Sequence, residues 1–369
     1  TSVAAGKDVV VAVVHVSDKF SATGVPTTTN GKIVVFDTAG KVLSSPDVLG
    51  VLPDSVTFAP NGTTALVAIE GQPVCAKDDP ATAAKESADY TKASDPVGGV
   101  TVVDLSNPAA PVLEFAGFDQ FTVSEMRAKG IAVSSVVNNV SKDFEPEFVT
   151  AIDNDYAYVT IQEANAIGRL NIQTATFESI TRAFESKHSK VARDTSDRDA
   201  GAGPRTYANV VGASQPDAIA GFKMGSGYYF LTANEGDARE YTCLDDDLRA
   251  SALKVDPRRF PDWKTLSGSA ALGRAKVNPT MGDKDGDGDI DTIHLRGSNS
   301  MTMYRNGLVI WDSGDLLDQI QTAAFGVANI NGSHSLSADK ATMNYVGQDR
   351  SDDKGAEPEG VAVGMVGDR

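Results

Sequence analysis

Five aspartates fall within nine residues, at Asp283, Asp285, Asp287, Asp289 and Asp291, with Gly286 and Gly288 between them. Acids at relative positions 1, 3, 5 and 9 and glycine at position 6 match the spacing of a calcium loop, in which alternate oxygens converge on one hard cation while glycine permits the bend. Position 12 is His294, where an EF-hand carries a bidentate glutamate, and no helix pair flanks the run. The pattern therefore predicts a calcium-binding loop outside the EF-hand fold. A solvated acidic turn is the plainer alternative.

A second set of acids is spread over the chain but occurs in a repeated phrase. Proline, an acid, any residue and a β-branched aliphatic recur as Pro53-Asp54-Ser55-Val56, Pro146-Glu147-Phe148-Val149, Pro216-Asp217-Ala218-Ile219 and Pro358-Glu359-Gly360-Val361. In the first three copies a glutamate follows at a nearly constant distance, as Glu70, Glu163 and Glu235. That spacing fits one antiparallel hairpin of two strands of about five or six residues with its turns. If the hairpins are equivalent, Asp54, Glu70, Glu147, Glu163, Asp217, Glu235 and Glu359 gather around one mouth. Crowded like charges are costly unless cations enter, and oxygen ligands suit calcium, with manganese or magnesium as alternatives. The competing reading is that each acid caps backbone N–H groups at its own strand end.

The elements that would position these acids read as strands throughout. Val56–Ala59 turns at Pro60-Asn61-Gly62 into Ala65–Ile69; Phe148–Ile152 turns into Tyr156–Ile161; Ala218–Phe222 turns into Tyr228–Thr232. Further two-strand segments lie at 31–43, 99–115 and 166–180. Hairpin plus hairpin makes a four-stranded antiparallel unit, and repetition of such units predicts an all-β β-propeller. Residues 1–369 then form a single propeller domain, with 237–300 as a long inter-strand insertion carrying the calcium loop. A β-sandwich is the alternative, but it does not require the same phrase at the start of alternate hairpins.

Composition narrows the function. A net charge of −17 and a pI of about 4.6 oppose nucleic-acid binding. No apolar run approaches the roughly 18 residues needed to span a membrane. The chain starts at Thr1, the expectation for a processed protein whose signal peptide has been removed. Cys75 and Cys243 each follow an equivalent Glu-Gly strand end, so a disulfide and two free thiols are both open. Sequons at Asn61, Asn139 and Asn331 permit glycosylation, although two of them read equally well as turns. No G-x-S-x-G, P-loop, H-E-x-x-H or G-x-G-x-x-G motif is present, and four histidines are too few for an imidazole-rich metal centre.

Longer blocks carry a family resemblance. Phe144-Glu145-Pro146-Glu147, Gln162–Ala166, Ser196–Asp199, Gln215–Ala220, Leu231–Tyr241, Gly282–Asp291, Trp311–Asp315 and Arg350–Gly360 resemble the choice-of-anchor I family, in the family's order. The resemblance implies a secreted or surface-anchored propeller, seven-bladed when complete, in a family whose members are often labelled alkaline-phosphatase-like or compared with mesenchyme-specific cell surface glycoproteins.

Two functions follow as expectations. One is an extracellular binding or structural module rigidified by calcium. The other is a metal-dependent phosphoesterase in which Arg198, Arg239 or Arg350 clamps phosphate oxygens. The fourth phrase, with Gly367-Asp368 as its turn, has no returning strand. The expectation is therefore a ring covered only in part, completed by a complementary polypeptide.

Overall fold

Strand-forming runs rich in Val, Ile and aromatic residues alternate with short polar turns, so neighbours in sequence pair with each other. In the computed structural model, which describes residues 2–15, 26, 28–77, 85–337, 340 and 342–364, four antiparallel sheets follow in chain order. The first comprises Ser2–Ala5, Val9–Val14, Asn30–Asp37 and Val42–Ser44, with Asp47–Val51 also on Asn30–Asp37. The second runs Pro53–Phe58, Thr64–Ile69, Gly99–Asp104, Val112–Ala116, and the third Pro146–Ala151, Tyr156–Ile161, Ala166–Asn171, Thr176–Arg182. The fourth pairs Ile219–Met224, Gly227–Asn234, Ser300–Arg305 and Leu308–Asp312, so residues 235–299 lie between its second and third strands.

The opening strands of these sheets are in contact in succession: Ser2–Ala5 with Pro53–Phe58, Pro53–Phe58 with Pro146–Ala151, and Pro146–Ala151 with Ile219–Met224. Their apolar faces meet between the sheets. Val11, Val13, Ile33 and Val35 pack with Val67, Ile69 and Val103. Leu66, Val100 and Phe118 pack with Val159, Ile161 and Phe177, and the Phe118 and Phe177 rings stack at 4.4 Å. Between the third and fourth sheets Tyr158 meets Phe230, which stacks on Tyr304 at 4.7 Å. This burial contributes on the order of 25 cal/mol per Å2 of apolar surface and fixes the spacing of the opening strands.

Two features differ from the sequence expectation. A fifth sheet is mixed: Val210–Ala213 pairs in parallel with Ile293–Leu295, flanked by Glu185–Lys187 on one side and by Lys276–Val277 and Leu248–Arg249 on the other. Its strands are two to four residues long, too short for period-2 alternation to register. Finally, Pro358–Val361 forms no strand; Gly367-Asp368 lies outside the described residues.

Cys75 and Cys243 are joined in a disulfide, with Cα atoms 5.6 Å apart across 168 residues of sequence. It ties the segment after the second sheet's Thr64–Ile69 strand to the insertion of the fourth. Closing so long a loop restricts the unfolded chain, so the C75S/C243S double variant should lose about 2–5 kcal/mol of unfolding free energy. Urea unfolding of the two proteins measures it; identical midpoints would show that the bond contributes nothing.

Candidate metal centre

The repeated phrase has a shared local geometry. In the second sheet Pro53 pairs with Ile69 and Val56 with Val67; in the third Pro146 pairs with Ile161 and Val149 with Val159. Each pairing places one extra residue on the opening strand, a β-bulge at Asp54-Ser55 and at Glu147-Phe148. Proline suits the first position because it has no N–H to pair, and the bulge re-aims the side chain that follows it. The returning strand ends at the glutamate. Gly71 and Gly236, at φ +72° and +94°, then take the chain away; a Cβ on Gly236 would stand 2.2 Å from the Gly297 nitrogen.

All seven predicted carboxylates line one cavity of about 580 Å3: Asp54, Glu70, Glu147, Glu163, Asp217, Glu235 and Glu359. Asp237, Glu240, Gln72, Gln162 and Tyr241 also line it. Carboxylate oxygens of Asp54, Glu70 and Glu147 lie within 4.8 Å of one another, close enough to share a cation. Gln72 donates to Glu70. Glu163 is 5% exposed and its Oε2 accepts no hydrogen bond.

Burial and mutual repulsion shape the electrostatics. Burial, then Asp54 and Glu163, push the Glu70 carboxyl up to about 8. Burial raises Glu163 to about 7, although Arg239 opposes it, and burial with Glu235 raises Asp217 to about 7. Glu147 stands well above the usual carboxylate range for the same reasons, burial first and then Glu70 and Glu163. Burial also raises Asp54 and Glu235; at Glu235 the ammonium of Lys354 and a 2.8 Å hydrogen bond from Gln162 pull the other way.

Beneath the cavity lies a buried charge network that sequence reasoning did not foresee. Arg239, 1% exposed, is held by Asp143 at 3.3 Å, Asp246 at 3.2 Å and Glu145 at 3.8 Å. Tyr241 Oη donates to Glu145 Oε2 at 2.7 Å, and Arg296 pairs with Asp246 at 2.7 Å. Arg239 is thus committed to protein carboxylates. Arg198 is exposed with only a 3.8 Å contact to Asp197, and Arg350 is paired with Asp353 and Glu357. Among the described residues none of these three lines the cavity, which corrects their expected place as phosphate clamps. Two lysines do reach the rim: Lys276 contacts Glu240 at 2.8 Å, and Lys354 contacts Glu235 and Asp237. The signal of Lys354 in sequence is slight: one lysine in a mixed-charge stretch.

The Asp283 loop is separate and exposed. Asp283, Asp285 and Asp287 carboxylate oxygens lie within 4.8 Å of one another. Asp283 accepts from the Gly286 and Gly288 amides at 2.8 and 3.0 Å, and Asp285 and Asp287 accept from residues two positions on. Asp291 is buried, accepting from the Lys284 amide at 2.9 Å and facing Arg259 at 3.7 Å. His294 is turned away from the loop, paired with Glu185 at 3.3 Å. Asp289 does not join the three clustered aspartates.

The chain belongs to the choice-of-anchor I family, whose domain model matches residues 1–369. No curated protein matches the sequence. Several solved structures overlap loosely. Hydrazine synthase of Kuenenia stuttgartiensis is 10% identical at a TM-score of 0.34, the overlap covering 63% of this chain and 55% of that one. A functionally unknown protein of Desulfotomaculum acetoxidans is 11% identical at 0.32, covering 84% and 70%. The Malassezia sympodialis allergen Mala s 1 is 8% identical at 0.27, covering 89% and 85%.

The raised carboxyls fix a pH dependence. Between their unfolded values near 4.5 and folded values of 7 to 8 the folded chain holds protons that the unfolded chain has released, so stability falls as pH rises. His188, held neutral with its pKa lowered to about 4 by burial, contributes with the opposite sign between about 4 and 6.5, so above pH 6.5 the carboxyls alone set the slope. In chelator, unfolding free energy should drop by on the order of 3 kcal/mol between pH 6.5 and 8.5, and E147Q should flatten the drop. Chemical denaturation at the two pH values tests this. A flat profile in the parent would mean the carboxylates are not crowded.

Proposed function

We propose that this choice-of-anchor I domain is a secreted or cell-surface module that binds divalent cations, calcium above manganese or magnesium, at the acidic mouth and at the Asp283 loop. The observation that carries the reading is the convergence of Asp54, Glu70 and Glu147 oxygens in a cavity where Glu163 Oε2 is buried without a partner. Burying several carboxylates in one cavity costs several kcal/mol unless they are protonated or cation-bound. A hard cation supplies oxygen coordination and charge neutralisation together. The Asp283, Asp285 and Asp287 cluster forms the second site, exposed and entirely local in sequence.

The architecture we assign to the complete domain is a β-propeller. The successive contacts of the opening strands support it, as does the shared antiparallel order of the four main sheets. At the outer edge of the fourth sheet Leu308, Val309, Ile310 and Trp311 are all exposed. Adjacent residues point to opposite faces of a strand, so both faces of this edge are open. A further four-stranded sheet, from a complementary polypeptide, would cover them. Extracellular placement is consistent with the Cys75–Cys243 disulfide and the family.

A phosphoesterase is the weaker reading. It needs a cation pair with an open water position and positive groups for the phosphate, whereas the mouth is lined by nine carboxylates (Asp54, Glu70, Glu147, Glu163, Asp217, Glu235, Asp237, Glu240 and Glu359) and no arginine among the described residues. A binding or structural role asks only for the cations.

Calcium should raise the melting temperature by several degrees at pH 8, and EDTA should reverse the gain. E70Q/E147Q should remove the larger part of it while melting above the parent in chelator, since two crowded carboxyls are gone, and D285A/D287A should remove a smaller, separable part while differing little from the parent in chelator. Equal melting temperatures with and without calcium in the parent would refute the reading; phosphate release from a chromogenic ester that needs added manganese would favour the phosphoesterase.

A further inference from the structure

The two halves of the acidic mouth are neutralised differently. On one side Asp54, Glu70 and Glu147 crowd together, and among the described residues no lysine or arginine side chain pairs with them. On the other side Lys354 Nζ stands 3.4 Å from Glu235, 3.3 Å from Asp237 and 3.4 Å from Glu357. Charge-assisted hydrogen bonds run about 2.7–2.9 Å. The ammonium therefore has no single preferred partner and sits among three carboxylates as a point charge.

The backbone holds it there. The Lys354 carbonyl accepts from Arg193 at 2.9 Å, and the same buried guanidinium donates to the carbonyls of Arg296 and Gly297, just before the third strand of the fourth sheet. The Lys354 side chain is only 15% exposed. Burial alone would favour the neutral amine, but Asp237, Glu235 and Glu357 outweigh it and keep the ammonium charged. Gln162 donates to the second oxygen of Glu235, leaving the first for the lysine.

We propose that Lys354 is a tethered counter-cation that fills the second cation position of the mouth, so that the mouth takes one divalent cation rather than two. The inference rests on the reading of Asp54, Glu70 and Glu147 as a cation site. Glu235 and Asp237, both of which line the mouth, then form a latent position for a hard divalent cation, opened by removing the ammonium, while Glu357 stays with Arg350, which holds both of its oxygens. Lys354 is in this sense a specificity residue: it keeps the mouth mononuclear and denies it the paired-ion geometry of two-metal phosphoester chemistry.

The test counts ions. In a D285A/D287A background, which silences the exposed loop, equilibrium dialysis against calcium and against manganese should give one bound ion per chain. K354M should double that to two, with K354Q as the alternative should K354M fail to give the parent circular dichroism spectrum. K354R, which keeps a positive charge, should stay at one. One ion in the parent and one in both neutral variants would overturn the Lys354 assignment while leaving the mouth as a cation site. No ion in the parent would overturn both.

Discussion

The constraint on which the structure depends is the cost of holding many carboxylates in one partly enclosed cavity. Isolated, each would be solvated or would find a backbone amide at its own strand end. Brought together, their repulsion in a medium of reduced dielectric reaches several kcal/mol. The chain meets this cost in part through backbone geometry, since the bulges at Asp54-Ser55 and Glu147-Phe148 and the positive-φ glycines after Glu70 and Glu235 aim those side chains, and Gln72 and Gln162 donate to Glu70 and Glu235. The sheets supply the compensating apolar burial at a distance, in the layers around Phe118, Val67 and Phe230.

Below the cavity the same problem is solved in the opposite way. Arg239 and Arg296 are wholly buried, yet every formal charge there faces an opposite one: Asp143, Glu145 and Asp246 surround the two guanidinium groups. Breaking such a network by removing one partner is far more damaging than replacing it whole. The floor is therefore a closed set of ion pairs, whereas in the mouth above it lysines pair only with Glu235, Asp237 and Glu240 among the described residues. The Cys75–Cys243 bond joins the chain segments that follow Glu70 and Tyr241, so floor and mouth are held in one frame.

Much of this arrangement was legible in sequence, and the reason is periodicity. The Pro-acid-x-Val phrase repeats, its distance to the following glutamate is nearly constant, and both ends of a hairpin lie on one side of a sheet; those facts place Asp54, Glu70, Glu147, Glu163, Asp217 and Glu235 together before any coordinates. What escaped reading lacks a period. The mixed sheet of the insertion uses strands too short to alternate, and its parallel pair joins segments some 80 residues apart, as the Val210–Ile293 pairing shows. Arg239 was misplaced as a ligand-facing residue because nothing in its neighbourhood of sequence reveals that Asp143 and Glu145, roughly a hundred positions earlier, close around it. Pro358–Val361 repeats the phrase without the fold: an opening strand exists only by pairing.

The charge balance of the mouth also decides what kind of ligand it could hold beyond a cation. Against the nine carboxylates lining it stand the ammonium groups of Lys354 and of Lys276, the latter 2.8 Å from Glu240, and one divalent ion would add two positive charges, so the cavity stays negative even with partial protonation of Glu70, Glu163 and Asp217. A phosphate or carboxylate group entering such a cavity would meet more repulsion than attraction. Neutral polar groups or further positive charge would not, and Gln72, Gln162 and Tyr241 at the lining offer hydrogen bonds to the former. The same field that makes the empty mouth costly therefore discriminates against anions, and a protein that bound phosphoesters here would have needed arginines where this chain has placed glutamates.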